Sequence, residues 1–430
     1  VARQAGGERW PASIREGNFF WPVLGILVAG LMLFSRGPGH LTHPELWAED
    51  GRVWLQQAYQ DGAKCLLRPM VGYLQTISRL TAFFALAFPL RWAPLIFAVI
   101  AFVIQLLPAI LLLAPRGAVL VPSLPGRLLM VAYYIGEPNS SEVYVNVTNA
   151  MWHLALAGFL IVLLPKPRTA LGLLTDIVTL ALAGLSGPII LFIVPIACWH
   201  AIEQRRQPDQ GKRLIYAALA SACACIQLGY ILLSAHKARH GALGATLNRL
   251  FHIGADQIVL GGLIGGPNTI GLLQIHFWAR TLWPALACLG AGVIGVIAFV
   301  KGPTVYRQFV VLAGLILITS LATPMVSYSG SQWEPMQYPG AGDRYFIIPM
   351  LAWFSTLLVA AEKPWGVVGH WVARLLLLAC LTGVSHDWRY HPYTKTTYQD
   401  AAKAFEEAPA GTVITFPENP ATWSFKLKKH

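Results

Sequence analysis

What most constrains this chain is a series of uncharged apolar runs, recurring from Phe19 to Ser385. They repeatedly reach the ~20 residues a helix needs to cross ~30 Å of hydrocarbon. Within lipid every backbone N–H and C=O must be paired inside the protein, which leaves helices or a closed barrel. The runs do not alternate apolar with polar residues as barrel strands do, so helices are expected. Charged residues make up 12% of the 430, about half the ~25% of soluble domains, and the mean hydropathy is +0.54. An all-α polytopic membrane protein is the expectation.

The formal net charge of +12 sits in short clusters between apolar runs: Lys166 and Arg168, Arg205 and Arg206 through Lys212 and Arg213, and Lys301 to Arg307. That is how cytoplasmic loops look under the positive-inside rule, and it argues against a nucleic-acid partner. Five of the six cysteines lie in or at the ends of apolar runs, and their spacing suggests neither a disulfide framework nor a metal site.

Residues 1–18 carry Arg3, Arg9 and Arg15, open without Met and read as cytoplasmic. Phe19 to Phe34 then forms the first span, running outward, with no signal-peptide cleavage pattern after it. A second span is expected from Tyr73 to Pro89 and a third from Trp92 to Ala114, with Arg91 between them on the inside. The count places 136–149, 185–187, 236–276, 327–343 and the tail from His386 outside. Twelve runs conflict with an inward start and an outward tail, which need an odd number of crossings. Val119 to Tyr134, short and interrupted by Pro122, Pro125 and Arg127, is expected to be the run that does not cross. About 11 transmembrane helices follow, or 13 if a long run hides a hairpin. Residues 1–385 form the transmembrane domain, with a first external loop over 36–70, and 386–430 form a small external α/β tail. The tail is expected to hold a helix over Tyr398 to Glu407 and a strand over Thr412 to Phe416, docked on the outer loops. In the first loop, Asp50 to Tyr59 reads as an amphipathic helix on the membrane interface. The Gly-rich stretch within 236–276, with Lys237, Arg239 and Arg249, reads as a partly re-entrant cover over a cavity and lacks the spacing of a phosphate loop.

The first loop carries two adjacent carboxylates, Glu49 and Asp50, where the polar end of a lipid-linked substrate would lie. Trp47-Ala48-Glu49-Asp50-Gly51 resembles the modified DxD element of the GT-C class of integral-membrane glycosyltransferases. Compatible with that class are Gly72-Tyr73 and Arg79, Asn146-Val147-Thr148-Asn149 with Trp152, Leu185-Ser186-Gly187-Pro188, and Gly342-Asp343-Arg344-Tyr345-Phe346. The resemblance is one of architecture over nearly the whole chain. It implies a GT-C-like fold and transfer of a sugar from a polyprenyl-phosphate-linked donor to an envelope glycan or glycolipid acceptor. The reaction would take place on the outer, periplasmic side of a bacterial inner membrane. The residues leave open whether a divalent metal, Mg or Mn, takes part.

An acceptor hydroxyl is a weak nucleophile, so one carboxylate of the pair, Glu49 or Asp50, is the candidate general base. Neighbours on a helix point ~100° apart, so only one of them is expected to do the chemistry. Arg68, Arg79 and Arg344, the last beside Tyr345, are candidates for the donor phosphate, with headgroup snorkelling as the plainer alternative. Tyr73, Glu142, Asn146, Asn149, Trp152 and His153 are candidates for sugar contacts, and Trp152 would also suit an interfacial belt. Glu45 reads as a helix start, Arg374 as an intramembrane charge facing a polar cavity, and Asp176 as a solvated acid near an inner end. Two other functions use the same substrate: a polymer ligase centred on His236 to His240, and a lipid-linked sugar transporter or flippase.

Overall fold

The computed structural model describes residues 20–206, 210–234, 241–275, 277–278, 282–327, 330–362 and 366–430. Thirteen helices are labelled here in chain order: α1 (Phe20–Arg36), α2 (Thr76–Ala85), α3 (Ala93–Leu113), α4 (Leu124–Gly136), α5 (Ala150–Leu163), α6 (Ala170–Leu185), α7 (Ile190–Glu203), α8 (Gln210–Ser234), α9 (Leu282–Lys301), α10 (Thr304–Ala322), α11 (Ile347–Glu362), α12 (Val367–His386) and α13 (Tyr398–Glu407). The expected all-helical character holds. Among the described residues five helical stretches are long and apolar enough to cross a membrane: Leu90–Leu113, which contains α3, together with α8, α9, α10 and α12. The apolar helices α1, α5, α6, α7 and α11 are shorter.

Loop chemistry fixes where the runs start. Ser123 and Thr169 cap α4 and α6 by accepting from the N–H groups of Gly126 and Gly172. The basic residues expected on one side of the membrane gather at one end of the bundle. There Lys212 Nζ donates to the Leu164 carbonyl at 2.5 Å, and Arg116 forms a two-pronged pair with Asp176 that the Tyr216 hydroxyl joins at 2.6 Å. Asp176 is thus a buried ion-pair partner and not the solvated acid expected.

The run that does not traverse the bundle is not the one expected. In α4 the suspected interruptions fall at the start: Pro122 precedes the helix, Pro125 sits in its first turn where no N–H is needed, and Arg127 donates to the last carbonyls of α3, Leu113 and Ala114, both at 3.3 Å. The other end of α4 meets Arg36, whose Nη1 lies 2.6 Å from the Ile135 carbonyl, so α4 joins the two ends of the bundle. The Tyr73 to Pro89 run instead makes only the 10-residue α2, about 15 Å long. Thr76 Oγ1 donates to the Leu185 carbonyl at 2.8 Å and the Ile77 N–H to Ser186 Oγ at 3.0 Å, which pins its start. The turn after it, Leu90–Trp92, is held by the tail: Tyr398 Oη donates to the Leu90 carbonyl at 2.9 Å, and Gln399 Nε2 to the Arg91 carbonyl at 3.2 Å. Arg91 therefore sits at the end of the bundle that carries the first loop and the tail, not at the opposite end as expected.

The tail is a small α/β unit, as expected, with one strand more. Strands β1 (Val413–Glu418) and β2 (Trp423–Lys428) pair antiparallel with Phe416 opposite Phe425. Their inward rings pack on Tyr398 and Phe405 of α13. The hairpin continues into the first loop: the Ala48 N–H donates to the Asn419 carbonyl at 2.6 Å, and the Asn419 N–H to the Leu46 carbonyl at 3.0 Å. Glu45 starts no helix; its carboxylate accepts from Thr396 Oγ1 at 2.6 Å and from the Thr396 N–H at 3.1 Å. The helical stretch after Asp50 is a π turn, Asp50–Leu55, followed by Gln56–Asp61, and its apolar face (Trp54, Leu55, Ala58) is buried in protein rather than laid on lipid.

At the end of α1, Arg36 is buried and donates to the carbonyls of Ile135, Glu137, Asp387 and Trp388 and to Tyr390 Oη. Replacing it with Met strands several buried carbonyls, each costing about 1–3 kcal/mol. Arg36→Met is therefore expected to lose at least about 3 kcal/mol, read as a lowered unfolding temperature in detergent, and Arg36→Lys to recover only part of it because the ammonium lacks the planar fork. In a cysteine-free background, a cysteine at position 91 is expected to react with an impermeant thiol reagent from the same side as one at 420, and from the side opposite one at 205. Labelling of 91 together with 205 would overturn the placement of α2.

Candidate functional site

Loops from several parts of the chain close around one cavity of ≈ 1500 Å³. The first loop contributes Trp47, Ala48 and Glu49, and the approach to α2 contributes Tyr73. The α4–α5 connection brings Glu142 and Asn149, joined by Trp152 from the first turn of α5. Arg344 and Tyr345 come from the segment before α11, and Arg389 and Tyr393 from the start of the tail. Gly266 and Pro267 also line it, so the Gly-rich stretch does cover a cavity; its Lys237, Arg239 and the neighbouring His236 to His240 lie outside the described residues.

The acidic pair is split. Glu49 faces the cavity, half-buried, and its carboxylate has no hydrogen-bond partner among the described residues. Asp50 is buried behind it, accepting from the Trp47 N–H at 3.2 Å and from Thr148 Oγ1 at 3.1 Å. Trp54 Nε1 fixes that threonine with a bond of 2.9 Å. Burial pushes the Asp50 carboxyl up to about 7, although both hydrogen bonds pull the other way. Ala48, just before the pair, has φ +52°.

On another wall, Arg344 forms an ion pair with Glu142 through Nη1, and its backbone N–H donates to the second oxygen of the same carboxylate at 3.2 Å. Tyr345 Oη accepts from the Met325 N–H at 3.0 Å, and its ring meets Trp152 edge-on at 5.9 Å. Tyr73 joins the two walls. Burial drives its hydroxyl up to about 12, and it feels Tyr345, Arg344 and Glu49 electrostatically. A carboxylate, a phenol and a guanidinium thus lie around one space, a set able to take a proton from a hydroxyl and hold an anion.

Of the other sequence candidates only Asn149 reaches the cavity. Asn149 Nδ2 donates to the Glu142 carbonyl at 2.9 Å at the cavity edge, while Asn146 lies behind it and accepts from the Asn149 N–H at 3.2 Å. His153 is buried in bonds to Tyr134 Oη (2.8 Å) and the Val143 carbonyl (3.1 Å). Arg68 is exposed and pairs with Asp61. Arg79 is buried under the Trp54 ring and donates to Gln57 at 2.9 Å; it neither snorkels nor reaches the cavity. Arg374 does not face a polar cavity: it is exposed on the outer flank of α12, its guanidinium 5.2 Å from the Trp371 ring centre. The sequence reading passed over His386, Arg389, His391 and Tyr393, all at the cavity. Their signal was there, a run of basic and aromatic residues directly after the last apolar run.

Among the described residues no group of three or more His, Cys, Asp or Glu side chains is arranged to hold a metal ion. Of the other carboxylates around Glu49, Asp50 accepts from Thr148 and Glu142 pairs with Arg344. Comparison of the chain with protein-family models, with curated proteins and with solved structures returned no match.

A third carboxyl braces the site from the tail. Glu418 Oε2 accepts from the N–H groups of Gly51 and Arg52 at 2.9 and 3.3 Å, and a Cβ on Gly51 would stand 2.3 Å from that oxygen. Burial, then the charge of Asp50, pushes Glu418 up to about 8. Both acids are raised in the folded protein, so the stability they contribute is complete below pH ~4 and lost as the pH rises through about 7 and about 8. Unfolding temperature in detergent should therefore fall between pH 5 and pH 8. Glu418→Gln keeps an acceptor for both N–H groups and is expected to flatten that fall; an identical pH profile in parent and variant would remove Glu418 as its source.

Proposed function

We propose that this protein is a GT-C-type glycosyltransferase. It moves a sugar from a polyprenyl-phosphate-linked donor to an envelope glycan or glycolipid on the external face of a bacterial inner membrane. The observation that carries the reading is the unpartnered Glu49 carboxylate in the same cavity as the Arg344 guanidinium, with the Tyr73 hydroxyl near both. Glu49 acts as general base: it takes the proton of the acceptor hydroxyl as that oxygen bonds to the sugar carbon and the bond from that carbon to the donor phosphate breaks. Arg344 takes the departing phosphate, for which its planar fork is suited. Asp50 holds the turn that presents Glu49 and does not touch the reactants. The aromatic faces of Trp152 and Tyr345 receive a sugar ring.

The orientation follows from charge. On this reading eleven of the labelled helices, α1 and α3 through α12, cross between the basic end and the cavity end, and α2 returns to the end where it began. An inward start and an outward tail are then compatible, with the cavity on the side opposite the basic loops.

Glu49→Gln keeps size and hydrogen bonding but removes the proton acceptor, so transfer should fall by roughly 10²–10⁴. Binding of the lipid donor should survive. Asp50→Asn keeps the turn and should cost far less. Sugar transfer and donor binding are measured side by side in purified protein. Parental rates in Glu49→Gln remove the base, and lipid movement without sugar transfer in the parent would mean a transporter. Arg344→Ala should weaken use of the lipid donor far more than folding, and full activity in Arg344→Ala and Arg344→Lys alike would take the residue out of the site.

A further inference from the structure

Among the described residues, two buried side chains beside the cavity find no partner for the polar groups that their burial should pair. Glu137, just past the end of α4, has no exposed surface, and neither of its carboxyl oxygens has a partner. Arg36 lies close but spends its Nη2 on the Glu137 backbone carbonyl at 3.0 Å. Trp152 is buried with its Nε1–H unpaired. An unpaired buried donor or acceptor is costly and rare, so each such group calls for a partner.

Both residues line one small chamber of ≈ 10 Å³, behind the wall of the main cavity. Tyr134 and His153 line it too, but their polar atoms are taken: Tyr134 Oη bonds His153 Nδ1 and the Gln105 carbonyl, and His153 Nε2 meets the Val143 carbonyl. That leaves the Glu137 carboxyl group and the Trp152 indole N–H as the unpaired polar groups of the residues lining a space about the size of one water molecule, which needs at least two polar partners.

We propose that one water molecule occupies this chamber, bridging the Glu137 carboxyl group and the Trp152 indole N–H, and that Glu137 acts through it as a positioning residue for the Trp152 ring. Trp152 lines the main cavity as well, where its ring meets Tyr345. The bridge therefore fixes the tilt of a cavity wall from behind. Only the consequence for substrate rests on the transferase reading; the water site does not.

The test uses full-length protein in nanodiscs with ¹⁵N-labelled tryptophan indoles. The Trp152 resonance is identified by its loss in Trp152→Phe. In the parent, its proton should show a cross-peak to a long-lived water, and absence of that cross-peak overturns the proposal whether or not any variant folds. Glu137→Leu should move the resonance upfield by several line widths, whereas Glu137→Gln, which restores a polar partner, should leave it within about one. A resonance unmoved by Glu137→Leu also overturns it. If the parent transfers sugar, Glu137→Leu should raise the acceptor KM severalfold with kcat within about twofold, and Glu137→Gln should restore KM. An intact water bridge in a protein without transferase activity would defeat the proposed function alone.

Discussion

The cavity end of this protein depends on one buried cation. Arg36 closes α1 with its guanidinium out of water, and among the described residues no carboxylate pairs with it. Its charge is met by carbonyl oxygens of Ile135 and Glu137 at the end of α4 and of Asp387 and Trp388 at the end of α12. Helix ends leave carbonyls unpaired and slightly negative, so a guanidinium between two of them satisfies both needs. Three helices that are far apart in the chain are thereby fixed at one point. From that point the tail departs, with the Tyr390 N–H bonded to the Arg36 carbonyl at 2.6 Å.

Because the tail is tied there, it becomes a wall of the site instead of an appendage. Asp387 Oδ2 accepts from the N–H groups of Asn139 and Gly266, both at 2.9 Å, so one carboxylate sets two other walls. Trp47 stacks on Tyr393 at 4.7 Å, and Glu418 caps the turn that starts at Asp50. At about 45 residues the tail is below the size at which a domain usually holds a core alone. Its core of Tyr398, Phe405, Phe416 and Phe425 is completed by the first loop and the Leu90–Trp92 turn.

Much of this was legible in the residues. Run length and the absence of alternation gave the helices, and Lys/Arg clusters marked one end of the bundle. Arg344 and Tyr345, Glu142, Asn149, Trp152, Tyr73 and Glu49 do converge on the cavity. Where the reading failed, it failed on pairing. Tyr73 to Pro89 and Val119 to Tyr134 are both apolar runs of intermediate length. What distinguishes them is that Arg127 finds the carbonyls of α3 while Leu90 and Arg91 find the tail. Contacts between residues hundreds of positions apart leave no local periodicity. Nor does a single Arg show whether it will lie under Trp54, as Arg79 does, or open to solvent beside Asp61, as Arg68 does.

The division within the acidic pair follows from the same long-range pairing. Adjacent carboxylates in one polar loop look equivalent, and their mutual repulsion acts on both. Asp50 is drawn into the protein by Thr148 of the α4–α5 connection, and its charge there is opposed by burial and, more weakly, by Glu49. Glu49 stays at the cavity, half-buried, where a base or an anion is useful. Two like residues thus acquire different surroundings because one of them is buried against the α4–α5 connection and the tail, and the tail is held there by Arg36 at the end of α12.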